Sequence, residues 1–181
     1  MSSQHTKREI TPMHPDDQFH WRPMVADDLK AVSKLASDIH ADFLESDSVL
    51  LEKQKLFPEG CYILAVGDII SGYLLSHPWK RHDPPALDNL LGCLPSRYDT
   101  YYIHDLALAG SVRGHGMAGP IIEEIAKLAR SLQLTSVSLV AAGGSEGFWK
   151  HQKFRIISTA DLDKKLETYG VQAHYMERSV C

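Results

Sequence analysis

Two windows of the chain carry apolar residues at helical spacing. In the first, Leu29, Val32, Leu35, Ala36 and Ile39 recur at three- and four-residue steps behind Asp27-Asp28, an acidic pair suited to a helix start. In the second, Ile121, Ile122, Ile125, Ala126, Leu128 and Ala129 predict the longest helix, over 116–132. Another helix is predicted over 44–56, ending near Pro58-Glu59-Gly60. Strand-like runs cover 20–25, 61–66, 69–75, 101–108, 136–141, 153–158 and 173–180. Gly67-Asp68 marks a hairpin between two of them. Gly143-Gly144 breaks the chain, and Ser145 is placed to cap a short helix through His151. Residues 77–99 hold Pro78, Pro84, Pro85 and Pro95 and read as a long connection with a short helical piece over 86–91. Between the last two strands lies a polar stretch ending in Thr168-Tyr169-Gly170. The order is β α α β β β α β α β β. It predicts an α/β protein with a mixed, mostly antiparallel sheet flanked by helices. Residues 1–18, polar and with two prolines, read as a flexible tail, and 19–181 as one domain.

Composition narrows the function classes. A chain of 181 residues supports one sizeable core. Its net charge of −4 offers no basic field for nucleic acid, and no apolar run is long enough to span a membrane. Three scattered cysteines, Cys61, Cys93 and Cys181, give no disulfide framework, and the N-terminus lacks the apolar stretch of a signal peptide, so a reducing, cytoplasmic setting is expected. Ten histidines show no metal-ligand spacing, and no metal site is expected.

The stretch Val112–Pro120, VRGHGMAGP, carries the candidate chemistry. A strand running into a glycine loop and then a helix presents free amides and the positive end of the helix dipole to an anion. Gly114 and Gly116 leave the backbone open, Arg113 adds a cation, and Pro120 falls in the first turn, where its missing N–H costs little. Gly114-x-Gly116-x-x-Gly119 also spells the dinucleotide fingerprint. That reading requires the strand to feed the first glycine directly and a carboxylate to end the next strand. Here Ala109 to Arg113 intervene, and the next strand ends in Val140-Ala-Ala-Gly-Gly. The plain alternative is a tight corner with a solvated arginine.

Leu106-Ala107-Leu108, followed after four residues by Arg113-Gly114-His115-Gly116-Met117-Ala118 and a long amphipathic helix, resembles the acetyl-CoA motif of the GCN5-related N-acetyltransferases (GNAT). That motif reads Arg/Gln-x-x-Gly-x-Gly/Ala after a strand ending Leu-Ala-Val. The element order is similar to the family's as well. The segment Ser145 to Phe154 is similar to the family's C-terminal signature, Phe-Tyr-x-x-x-Gly-Phe, with Trp149 at the tyrosine position and Lys153 at the last glycine. The resemblance implies acetyl-CoA as cosubstrate. It implies a diphosphate cradle from Arg113, Gly114, His115, Gly116, Met117 and Ala118, a pantetheine strand from Leu106, Ala107 and Leu108, and cofactor contacts from Ser145 and Phe148. The family's tyrosine acid is missing, since an indole N–H has no accessible pKa.

Direct acetyl transfer to an amine needs a base near neutral pH. Strand alternation would place Tyr102, His104, Leu106 and Leu108 on one face, with Ile103, Asp105 and Ala107 on the other. His104 and Tyr102 match positions held by histidines in arylalkylamine-type members of the family. His104 is thus the first base candidate and Asp105 the second. Tyr175 is a candidate replacement acid or an aromatic strand residue, and Trp79 with Lys80-Arg81-His82-Asp83 a solvated turn or part of a substrate lid. Cys93 has no activating neighbour in sequence. The expected activity is transfer of acetyl to a primary amine of a small-molecule or peptide acceptor, with a homodimer compatible with the family. The rival, motivated by Trp149 and Lys153, is an acyl-CoA-binding sensor that lost the chemistry.

Overall fold

The computed structural model describes residues 19–40, 44–170 and 172–181; the predicted tail over 1–18 lies outside the described residues. Seven strands form one sheet in the order β1-β2-β3-β4-β5-β7-β6. They are β1 (His20–Pro23), β2 (Cys61–Val66), β3 (Ile69–Trp79), β4 (Thr100–Leu108), β5 (Ser136–Ala141), β6 (Arg155–Ile156) and β7 (His174–Ser179). Every neighbouring pair is antiparallel except β4 with β5. The sheet is thus mixed and mostly antiparallel, as the sequence predicts.

Helices α1 (Leu29–Ile39) and α2 (Asp47–Leu56) cover one face, and α3 (Ala118–Ser131) covers the other. The periodic residues do this work: Val32 and Ala36 of α1 pack with Leu50, Tyr73, Leu75 and Ala107, while Ile121, Ile122, Ile125 and Ala129 of α3 pack on Leu74, Ile103 and Val137. Helix α4 (Glu146–His151) adds Trp149 to the α3 layer. Among the described residues no helix is long and apolar enough to cross a membrane.

The structure corrects several expectations. Strand β1 stops at Pro23, because the next turn is taken over by Asp28, whose carboxylate accepts from Val25 N–H at 2.9 Å and from Arg22 at 2.7 Å. Strand β3 continues through Pro78 to Trp79, and Pro78 keeps its register opposite Tyr101. No helix forms over 86–91. Asp88 has φ of 52°, and the amides of Asp88, Leu91 and Gly92 are captured by the carboxylates of Glu45 and Glu52 instead of by a helical ladder. Helix α2 begins at Asp47 and α3 at Ala118, since Gly114 and Gly116 take φ of 80° and 74°. The polar stretch before β7 holds an unpredicted helix, α5 (Ala160–Lys165), continued by a 3₁₀ turn over Leu166–Tyr169. Thr159 caps it, accepting from Leu162 N–H at 3.2 Å, and Leu162 and Leu166 pack on Tyr102 and Tyr175.

The largest correction concerns β4. Ser76 pairs with Ile103 and Leu75 with Asp105, so His104 is an extra residue and β4 bulges there. The bulge shifts the phase of the strand. Tyr102 and Ala107 pack on the same face of the sheet, whereas Ile103, Leu106 and Leu108 pack with α3 on the other. Simple alternation would have grouped Tyr102 with Leu106 and Leu108.

Candidate active site

Strands β4 and β5 are in register only over Tyr101–Ile103 and Val137–Leu139. Beyond the bulge the pairing ends, and a cavity of about 1050 Å³ lies between Leu106, Ala107 and Leu108 on one side and Val140 and Ala142 on the other. Ala109 N–H donates to Ser71 O at 2.8 Å. Antiparallel ladders alternate, so Ala107 directs its amide groups to Tyr73, and Leu106 and Leu108 direct theirs into the opening. One of these is taken: Arg113 Nε donates to Leu108 O at 2.8 Å.

One end of the cavity is the glycine loop. Arg113, Gly114, Gly116, Met117 and Ala118 line it, and nothing stands within 4 Å of a Cβ built on Gly114 or Gly116. The loop leads into the first turn of a 14-residue helix, whose free amides favour an anion. Trp21 of β1 holds the loop by donating Nε1–H to Met117 O at 2.8 Å. Across the opening Gly143 and Gly144 take positive φ, Ser145 donates Oγ–H to Ala142 O at 2.7 Å, and Ser145 and Phe148 line the cavity. His115 alone of the cradle residues does not line it; its Nδ1 lies 3.1 Å from Arg113 O and its ring meets Phe19.

The other end holds acid–base groups. His104 Nε2 lies 2.7 Å from Glu45 Oε2, with side-chain exposures of 4% and 7%. Burial works to raise the Glu45 carboxyl, but the bond from His104, the charges of His104 and Lys53 and the Asp88 amide outweigh it and hold Glu45 below its usual range. An ionised carboxylate only accepts, so a neutral His104 carries its proton on Nε2 and keeps a lone pair on Nδ1. That Nδ1 is buried and has no hydrogen-bond partner. Beside this pair Asp105 accepts from the Tyr73 hydroxyl, and its Oδ1 lies 3.2 Å from His40 Nε2. The Asp105 carboxylate pushes His40 up, against burial.

Behind His104 stand residues that sequence reading did not single out. His77 of β3 is fully buried, with rings of His104, Tyr102 and Trp79 around it, and burial brings it down to about 3. Lys53 is 1% exposed with no partner for Nζ, and its burial lowers it too. Glu45 lies 59 positions from His104, a separation no local motif reports.

The remaining candidates are placed as follows. Tyr102 does not line the cavity; it is buried, its hydroxyl bonded to Tyr169, and burial drives it well above the ordinary tyrosine range. Tyr175 is buried on β7, where its hydroxyl accepts from His82 N–H at 3.1 Å. Trp149 packs edge-on to Phe148 and Phe154 in the core. Cys93 is exposed and free. Among the described residues no group of three or more histidine, cysteine or carboxylate side chains is arranged to hold a metal.

No family model and no curated protein matches the sequence. Solved structures do. The loading GNATL domain of CurA from Lyngbya majuscula aligns 98% of its length with 90% of this chain, at 11% identity and a TM-score of 0.73. The chain has the GNAT fold. Ard1 from Thermoplasma volcanium matches at 16% identity and a TM-score of 0.68, over 90% of this chain and 98% of that one. Arabidopsis thaliana Naa50, solved with the bisubstrate analogue CoA-Ac-MVNAL, matches at 13% identity and a TM-score of 0.61, over 89% and 98%. On the GNAT fold of this chain, the splayed β4–β5 junction, the glycine loop and the His104–Glu45 pair border one continuous cavity.

Proposed function

We propose that the protein is an acetyl-CoA-dependent N-acetyltransferase that transfers acetyl directly to the primary amine of a small molecule. The observation that carries this reading is that a single cavity joins an anion cradle, Arg113 to Ala118, to a buried histidine–carboxylate pair. In this reading the free amides of Gly114, Gly116 and Ala118 grip the CoA diphosphate, with the charge of Arg113 nearby. Leu106 and the Leu108 N–H align the pantetheine arm and thioester. Met117 and the Gly143–Ser145 turn border the cofactor, and Phe148 walls it.

In this reading Glu45 fixes the tautomer of His104, and Nδ1, buried in the free protein, is reached once the acceptor is seated and takes the proton that the amine loses as nitrogen attacks the thioester carbonyl. The C–N bond forms as the C–S bond breaks. The sulfur leaves as thiolate, and the proton held by His104 returns to it directly or through water. No tyrosine acid is required, because a model thiol of pKa about 8.5 yields an adequate leaving group. Orientation and exclusion of water supply most of the acceleration.

Calorimetry with acetyl-CoA, together with amine-dependent release of free CoA thiol, tests this. Binding with turnover is expected, and His104→Gln should lower kcat by about 100-fold or more while KM for acetyl-CoA moves little. Tight binding without amine-dependent release would favour the sensor reading, and absence of binding would overturn both.

A further inference from the structure

The segment between β3 and β4 is anchored on both sides of the cleft. Toward α2, Ser46 N–H donates to Asp88 Oδ1 at 2.7 Å, Asp88 N–H donates to Glu45 Oε1 at 3.2 Å, and the Leu91 and Gly92 amides donate to Glu52 at 2.6 and 2.8 Å. Toward β7 and α5, Arg81 forks onto Glu177 at 2.7–3.0 Å, Lys165 Nζ reaches Asp83 Oδ1 at 2.5 Å, and the Tyr169 hydroxyl donates to the Pro85 carbonyl. Leu87 of this strap and Tyr169 both line the cavity beside Glu45 and His104. The strap thus walls the acid–base end of the cleft, where a chain threading through would need an exit.

The chemistry of that end is equally selective. Ile39, Leu87 and Tyr169 give it an apolar surface, and its carboxylates are Glu45, paired with His104, and Asp105, which faces His40 and raises it. Arg113 of the glycine loop lines the same cavity, with Nε donating to Leu108 O and its charge felt at His40, and the buried Lys53 does not line the cavity but its charge is felt at Glu45. The histidines there, His40 and His104, are already engaged with Asp105 and Glu45.

We infer that the acceptor is a small primary amine with an apolar body and no carboxylate beside the nitrogen, and that the strap over 80–92 excludes peptide N-termini. This rests on the acyltransfer reading above. A carboxylate next to the reacting nitrogen would be brought up to Glu45 and Asp105, while the one arginine among the described residues lining the cavity, Arg113, is committed in the acyltransfer reading to the coenzyme diphosphate, an arrangement that disfavours amino acids by repulsion and desolvation. A peptide adds a chain that must cross the strap. Discrimination therefore acts in kcat/KM for the acceptor, without altering acetyl-CoA binding.

The test uses the full chain with saturating acetyl-CoA and three matched sets built on leucine, phenylalanine and methionine. Each set contains the decarboxylated amine, the amino acid, and a pentapeptide beginning with that residue. For the best set, kcat/KM for the amine should exceed that for the amino acid and the peptide by at least tenfold. The double variant Lys165→Ala, Tyr169→Phe should raise the peptide-to-amine ratio at least fivefold. An amino acid used as well as its amine overturns the charge argument. A peptide used as well as its amine, or an unchanged ratio in the variant, overturns the strap. If no acceptor in any set supports thiol release, the acyltransfer reading falls and this inference with it.

Discussion

A histidine serves as a base when one ring nitrogen is held and the other is left open. Glu45 holds Nε2 of His104 and leaves Nδ1 without a hydrogen-bond partner, buried until an acceptor reaches it, and His77 beside it is buried as well. His77 is confined by the rings of His104, Tyr102 and Trp79, by the Pro78 carbonyl at 3.1 Å and by the nearby Lys53 charge, and burial brings it down to about 3. Its unfolded value is about 6.5, so below that pH the unfolded chain takes a proton that the fold refuses. Stability from this residue is complete above about pH 6.5 and is lost as pH falls toward 3. His40 works the other way. Asp105 raises it in the fold, so its contribution is present at low pH and is lost as pH rises through its folded value. Between pH 7 and pH 5 the wild type should lose about 2 kcal/mol more than a His77→Phe variant, measured by urea unfolding at both pH values. Parallel losses in the two proteins would show that His77 is protonated in the fold. Of the acid–base residues the sequence exposed His104 and Asp105, through their places four and three residues before Leu108. Glu45, His77 and Lys53 come from other elements, and their convergence is a product of packing.

At the scale of elements, a helix ending and a strand bulge decide how the cleft is shaped. Helix α4 closes with Lys153 N–H to Lys150 O and Phe154 N–H to Trp149 O, both at 3.0 Å, and this ending puts Lys153 at φ of 69°. That is a conformation suited to glycine, the residue the family signature has there. Lys153→Gly should stabilise the protein by about 0.5–1 kcal/mol, read from the denaturant midpoint, and a lower midpoint would contradict the helix-end account. The long periodic helices α1 and α3, the hairpin at Gly67-Asp68 and the glycine loop were all legible, because each rests on local spacing. The bulge at His104 was not, because a period-two reading has no place for an extra residue. Helix α5 escaped because six residues with Leu162 as the one buried apolar side chain leave too short a period to stand out. Residues 86–91 of the strap read as a helical piece because their side chains suit one, while the amides of Asp88, Leu91 and Gly92 answer to the carboxylates of Glu45 and Glu52.

At the scale of the whole molecule, the sheet brings together residues that are far apart in sequence. β1 pins the glycine loop through Trp21, β4 and β5 part after Ile103, and the segment just before α2 delivers Glu45 to β4. The central claim is that the gap so formed seats coenzyme A, with its diphosphate at the mouth of α3. A crystal structure of the protein grown with coenzyme A tests it most directly. The account predicts diphosphate oxygens at hydrogen-bonding distance, about 3 Å, from amides of residues 114–118, and the sulfur between Leu106 and Val140 on the His104 side. A coenzyme bound elsewhere, with the glycine loop unchanged and in contact with solvent, would contradict it.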